Sequence, residues 1–337
     1  LAVTGATGYL AAWVVRELLE RGHTVHATAR SLADTKVGWL REMAEGLPGE
    51  LKLFAADLLK EGSFDAAIEG CEIVVHTASP FFFSDIKDPQ RELVDPAKKG
   101  TANVLESVNR TPSVRRVVLT SSVASIAGDA AECDARPLTE DDWNETSSLG
   151  HQPYSFSKVE AEREAWRIAK AQDRWQLVTV NPGFILGPSI PPERSSSESM
   201  KFMTSMIDGE WATGTMDHAM SCVDVRDVAH AHAEAALRDE VEGRHICTAE
   251  EFSFVDIGRL LKSRFGKRVK PPTRVLPTFL VWLTAPLFGI KREFVKRNAG
   301  HRYRFDNQKS VQALGMNYRA IDQSIVEHAQ QILDQRR

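Results

Sequence analysis

Residues 3–11 read Val3-Thr4-Gly5-Ala6-Thr7-Gly8-Tyr9-Leu10-Ala11, between a short apolar run and an amphipathic stretch, Tyr9–Arg21. Strand, glycine turn and helix in this order aim backbone N–H groups and the positive helix end at a pyrophosphate. Gly5 permits the tight turn, and Gly8 admits phosphate close to the backbone. Small Ala11 lets helix and strand pack. Thr7, Tyr9 and Leu10 fill out the loop that a dinucleotide would touch. Gly22, just past the helix, suits a left-handed C-cap.

Outward from this loop, short apolar runs alternate with helical windows. Strands are expected at Leu1–Thr4, Thr24–Ala29, Leu51–Ala55, Ile73–Thr77, Val117–Ser121 and Leu177–Asn181. Near-continuous apolar runs suit strands buried on both faces of a parallel sheet. Windows such as Tyr9–Arg21, Leu93–Asn109 and Tyr154–Gln172 are long enough for crossovers. The pattern predicts an α/β fold, a Rossmann-type doubly wound parallel sheet with a smaller C-terminal α/β substrate lobe. The expected division is 1–181 for the cofactor and catalytic residues and 182–337 for the substrate lobe, with some segments returning to the first unit. Helices are expected at Val225–Leu237, Phe254–Phe265 and Asp322–Gln335.

Composition excludes several classes. At 42% apolar and 26% charged residues the chain is ordinary for a globular protein, and a net charge of −4 offers no field for nucleic acid. Cys71, Cys133, Cys222 and Cys247 are widely spaced, which argues for a reduced, cytoplasmic setting over a disulfide framework, and no metal site is expected. The most apolar run, Val275–Ile290, is shorter than a membrane span and holds Pro277 and Pro286. It reads as a buried helix or a pocket wall, with no membrane partner. No signal peptide is visible. The first residue is Leu1, inside an expected strand, so preceding residues are expected.

Cofactor choice is read at the end of the second strand. Enzymes that use NAD place an acid there for the ribose 2′-hydroxyl. His23–Arg30 contains none and ends on Arg30, with Lys36 a turn later. A guanidinium fork suits a 2′-phosphate, so NADP(H) is expected. Asp57 and Leu58, after the third strand, suit the adenine end.

Catalytic candidates lie further along. Thr120-Ser121-Ser122 ends a strand at the carboxyl edge, where such sheets bind ligands. Thirty-two residues after Ser122 comes Tyr154-Ser155-Phe156-Ser157-Lys158. A spacing of four sets Tyr154 and Lys158 on one helix face.

With these motifs in place the chain resembles the extended short-chain dehydrogenases/reductases, within them the dihydroflavonol reductase and cinnamoyl-CoA reductase group. The likeness runs through Thr4–Ala11, Gly62–Cys71, His76–Pro80 (HTASP), Thr120–Ser122, Asn181–Pro188 (NPGFILGP), Val223–His232 and Phe305–Met316. It implies Ser122, Tyr154 and Lys158 as catalytic residues. It also implies that Thr77, Ala78, Ser79, Ser121, Pro182 and Gly183 line the cofactor. Physically, hydride arriving at a carbonyl carbon leaves charge on oxygen, which donors must already face. Ser122 would orient the carbonyl and Tyr154 donate its proton. Lys158 and an oxidised nicotinamide would favour the phenolate; a three-unit shift is about 4 kcal/mol. His76 reads as a satisfied core histidine, and Asp224 and Asp227 as helix caps.

Phe81, Phe82 and Phe83 follow the HTASP turn, Phe184 and Ile185 follow Gly183, and Met200, Met203, Met206 and Trp211 lie beyond. They suggest a pocket for an apolar or aromatic carbonyl compound, with Ser122 and Ala127 on its wall. The chain departs from the plant enzymes at Ala127, where dihydroflavonol reductases carry Asn. It departs again at His151–Phe156, where cinnamoyl-CoA reductases usually carry N-W-Y-C-Y. A broader aldehyde or ketone reductase, monomeric or homodimeric, is the reading. A nucleotide-sugar epimerase or dehydratase would instead want an acid at Arg30 and a basic diphosphate site, for which Arg292, Lys296 and Arg297 are available. A non-catalytic dinucleotide sensor would tend to lose the tyrosine.

Overall fold

A computed structural model describes residues 1–79, 86–191 and 197–336. Seven strands form one parallel sheet: β1 (Ala2–Thr4), β2 (Thr24–Ala29), β3 (Glu50–Ala55), β4 (Ile73–His76), β5 (Arg116–Thr120), β6 (Gln176–Pro182) and β9 (Gly243–Cys247). Their order is β3-β2-β1-β4-β5-β6-β9, every pair parallel. The order reverses between β1 and β4, which opens a crevice above their carboxyl ends.

Register explains why the apolar runs are continuous. Ala2, Val74, Val117 and Leu177 align across four strands and feed one core, shared with the Asp95–Arg110 and Pro153–Ala169 helices. Val3, Val75, Val118 and Val178 are each one residue on and feed the opposite core. There the Tyr9–Glu20 helix packs against the Val225–Leu237 helix. Side chains one residue apart point to opposite faces, so both must be apolar. Gly22, at φ 82°, ends the first helix, its N–H donating to the Leu19 carbonyl at 3.0 Å. The expected Leu93–Asn109 helix opens with a wider π turn, Gln90–Val94, before Asp95–Arg110. Pro96 lies in that first α turn and has no N–H to give the regular ladder.

A second sheet of three strands, β7 (Phe184–Leu186), β8 (Ala219–Asp224) and β10 (Glu250–Ser253), runs in the order β10-β8-β7. It shares a third core with the Glu198–Asp208, Phe254–Phe265 and Ile321–Asp334 helices. Met200, Met203 and Met206 are buried in that core instead of lining a cleft. Between the two sheets the chain crosses back: the Val225–Leu237 helix and β9 belong to the large sheet.

One expectation is overturned. The apolar run at 275–290 is not buried. Its Thr278–Thr284 helix, begun after Pro277, contains no buried residue, and a 3₁₀ turn, Ala285–Phe288, follows. The helix packs on that turn and on the neighbouring Arg292–Asn298 helix, so most of its apolar surface stays uncovered.

Candidate active site

At the crevice the glycine loop takes the shape its sequence asks for. Gly5 sits at φ 69°, and a Cβ there would lie 3.0 Å from the Ala78 Cβ. The Gly8 N–H donates to the Gly5 carbonyl at 2.9 Å, and Gly8 precedes the Tyr9–Glu20 helix. Thr7 and Gly8 are exposed, so the first-turn amides face outward. Thr4 braces the loop to β4: its hydroxyl accepts from the Thr77 and Ala78 N–H groups, both at 3.1 Å. That leaves its proton for His76 Nδ1 at 2.8 Å. His76 is buried and pulled down to about 3, by burial and then by the Lys158 charge, so it is neutral.

Arg30 and Lys36 are both exposed beyond the end of β2, with no ion-pair partner among the described residues. Asp57 is exposed too, one carboxylate oxygen accepting from the Leu59 N–H at 2.9 Å. Leu58 packs into the gap beside Gly100, where a Cβ would meet its Cγ at 2.4 Å. Two loop residues turn inward: Leu10 is buried, and the Tyr9 hydroxyl donates to the Gly187 carbonyl at 2.7 Å.

Tyr154 and Lys158 open the Pro153–Ala169 helix. Lys158 Nζ lies 5.8 Å over the Tyr154 ring centroid and donates to Ser79 Oγ at 3.2 Å. Its ammonium is buried, and burial pulls it down to about 8 against the opposing Glu162 charge. Burial, with the Glu198 charge, pushes the Tyr154 phenol well above its ordinary value; the lowering expected above belongs to the site with an oxidised nicotinamide beside Lys158. Ser122 ends the loop after β5. Its hydroxyl accepts from the Ala124 N–H at 3.1 Å, which leaves its own proton to donate elsewhere.

Below this layer lies a network that sequence reading missed. Glu162 continues the four-residue spacing Tyr154, Lys158, Glu162, and that spacing was its only signal. It is 1% exposed and accepts from Ser121 Oγ, from Ser125 Oγ at 2.5 Å, from Asn181 at 3.0 Å and from Arg244 Nε at 2.7 Å. Burial alone pushes the Glu162 carboxyl up, but the Arg244 charge and these hydrogen bonds outweigh it and hold it below its ordinary value. Asn181 also donates to the Ser122 carbonyl at 3.3 Å. The Ser121 hydroxyl thus ties the end of β5 to the Glu162 carboxylate. A second hub, Asp129, meets His151 Nε2 at 2.8 Å and accepts from Gln152 at 2.6 Å and Asn298 at 2.7 Å. Gln152, at φ 54°, turns the chain into the Pro153–Ala169 helix.

On the substrate side Gly183 is required by contact: a Cβ there would meet the Ser221 carbonyl oxygen at 2.2 Å. Pro182 is buried before it. Phe184 meets Phe202 edge-on at 5.0 Å, and Phe202 in turn approaches Trp211 at 5.7 Å. Ala127 is buried in a small core with Ile126, Leu138 and Ile246. Phe81, Phe82 and Phe83 fall outside the described residues. Asp224 caps its helix by accepting from the Arg226 N–H at 2.8 Å, and Asp227 accepts from the Arg319 N–H at 2.7 Å. Arg297 pairs with Glu293 and Asp129, while Lys296 and Arg292 lie on the exposed helix beside Thr278–Thr284.

A Tyr-x-x-x-Lys helix beside the switch point of a doubly wound sheet is the arrangement of the short-chain dehydrogenases/reductases, oxidoreductases that bind a nicotinamide dinucleotide. Residues 1–247 match the family described as the NAD dependent epimerase/dehydratase family, and the chain belongs to it. It is 39% identical over 271 residues to a cinnamoyl-CoA reductase from Medicago truncatula, covering 79% of this chain and 80% of that one. To tetraketide alpha-pyrone reductase 1 from Arabidopsis thaliana it is 34% identical over 325 residues, 96% and 92% of the two chains. The structure of Gre2 with NADPH from Candida albicans superposes with a TM-score of 0.80 at 28% identity, over 100% of this chain and 99% of that one. Among the described residues no helix is long and apolar enough to cross a membrane.

Proposed function

We propose that the protein reduces an apolar or aromatic aldehyde or ketone to its alcohol, with Tyr154 as proton donor. The carrying observation is Lys158, buried against the Tyr154 ring and bonded to Ser79 at the edge of the crevice. The cofactor is NADP(H), and the loop residues fit it. Gly5 leaves just the space a backbone turn needs, the first-turn amides are presented outward, and Arg30 and Lys36 are unpaired cations beyond β2. Arg30 and Lys36 would hold the 2′-phosphate, and Asp57 the adenine amino group. When bound, NADPH supplies the hydride.

Everything else falls to this chain's own side chains. Ser122 donates its hydroxyl proton in a hydrogen bond to the carbonyl oxygen and so fixes the carbon's orientation. Tyr154 then gives that oxygen its proton, against a burial that raises the phenol pKa and that the neighbouring Lys158 charge must offset. Lys158, cationic below about pH 8, faces the phenolate that the transfer leaves behind. Around the reacting group, Phe184, Phe202 and Trp211 supply an aromatic flank. The reductase names of the relatives, among them the cinnamoyl-CoA and tetraketide alpha-pyrone enzymes, support an aromatic or apolar substrate. The four buried free thiols suit the cytoplasm.

The test is NADPH oxidation against aliphatic aldehydes, aryl aldehydes, aryl ketones, dihydroflavonols and acyl-CoA thioesters. Turnover of aryl aldehydes or ketones at higher kcat/KM than of short aliphatic ones supports the reading. Turnover of thioesters alone, or of no carbonyl compound, overturns it.

A further inference from the structure

The segment from Lys262 to Arg297 stands apart from the rest of the chain in charge and in exposure. It carries ten Lys or Arg and a single acid, Glu293, in a chain whose net charge is −4. Its Thr278–Thr284 helix reads TFLVWLT yet buries nothing. Phe279 is 68% exposed, Leu287 83% and Phe288 76%. Arg292 lies 4.5 Å over the Trp282 ring and donates to the Trp282 carbonyl at 3.3 Å, so cation and apolar surface adjoin. Contiguous apolar surface rimmed by polar groups marks a site of interaction.

We infer that this face docks on an anionic lipid surface. Phenylalanine, leucine and tryptophan side chains would enter the headgroup boundary. Arg292 and Lys296 on the adjoining helix, with Lys291 at its start, would meet lipid phosphates and carboxylates. A helix of seven residues cannot span a bilayer, so the contact is peripheral. Charge separates this occupant from a second copy of the chain. A twofold dimer through the same face would bury two net-positive patches against each other, Lys291, Arg292, Lys296 and Arg297 outnumbering Glu293 in each. Like charges across an interface oppose association, whereas an anionic surface complements them. The inference stands whether or not the reductase reading holds.

Sedimentation of the full chain with vesicles tests it, using phosphatidylcholine alone and phosphatidylcholine mixed with phosphatidylserine. The protein is expected to pellet with the anionic vesicles at low salt, to stay in solution with phosphatidylcholine alone, and to be released as salt rises. Phe279→Ser, Leu287→Ser and Phe288→Ser together should cut the bound fraction about tenfold or more while leaving the melting temperature unchanged. Arg292→Glu should weaken binding without abolishing the apolar contribution. No binding to anionic vesicles overturns the inference, as does equal binding to both vesicle types. So does a dimer that the triple serine variant splits while wild type ignores vesicles, since the face would then join two copies.

Discussion

Lys158 and Arg244 are both buried cations beside the same helix, and they are treated in opposite ways. Arg244 is saturated. It pairs with Glu162 at 2.7 Å, donates to the Glu140 and Asp142 carbonyls at 2.8 and 2.6 Å, and stacks 4.0 Å over Trp143. Among the described residues Lys158 has one hydrogen bond, to Ser79, and a tyrosine ring. Burial accordingly costs Lys158 its ordinary pKa, while the Arg244 charge and the hydrogen bonds around Glu162 hold that carboxyl below its ordinary value in spite of burial. The difference separates the proposed reacting layer from the network beneath it, in which Glu162, Asn181 and Arg244 fix the Ser122 loop from below.

Breaking the saturated layer should have the largest effect on the fold. Glu162→Ala leaves Arg244 buried and uncompensated, and an unfolding titration in urea should show a loss of about 3–5 kcal/mol. A loss under about 1 kcal/mol would mean that water reaches the pair. Lys158→Met tests the other half of the contrast. Replacing an under-satisfied buried cation by an apolar side chain should leave urea stability within about 1 kcal/mol or raise it, yet lower kcat/KM by about 100-fold or more. If stability falls instead with activity intact, Lys158 belongs to the scaffold. Smaller again is cofactor choice. Arg30→Asp should lower the preference for NADPH over NADH by about 10- to 100-fold, the worth of a charge-assisted hydrogen bond of about 1.5–3 kcal/mol. Dissociation constants for the two nucleotides would read it, and an unchanged ratio removes Arg30 from the site.

The smallest effect is on pH. The Lys158 pKa is lowered on folding from an ordinary 10.5 to about 8. Between those values the unfolded chain binds the proton and the folded one does not, so stability from this group rises with pH across the window. Activity runs the other way: the cation is lost as pH climbs through about 8, and turnover should decline there. A profile flat from pH 7 to 10 would mean that the Lys158 charge is not used.

How much of this could be read from sequence follows from how local each signal is. The loop at 3–11 lies wholly between one strand and one helix, and Tyr154 and Lys158 are a single turn apart, so short spacings carry both. The same holds for Thr24–Ala29, Val225–Leu237 and Phe254–Phe265, which fall on the residues that periodicity marks. Glu162 with Ser125, Asn181 and Arg244, and Asp129 with Asn298, meet only after the chain has folded over distances of up to 169 residues. No local pattern announces such a meeting. Ser121 shows the consequence: its hydrogen bond to Glu162 joins residues 41 apart and leaves no mark in the sequence around either. The run at 275–290 failed for a different reason. Hydropathy reports that a surface is apolar, and only the packing of other elements decides whether it is covered.

The proposal that the Tyr154 proton completes the reduction is addressed directly by Tyr154→Phe, because the ring stays and only the hydroxyl leaves. NADPH binding and single-turnover reduction of an aryl aldehyde should be measured on the same preparation. The account predicts an unchanged NADPH dissociation constant and a reduction rate lower by about 10²- to 10⁴-fold. Reduction at the wild-type rate with NADPH still bound would contradict it.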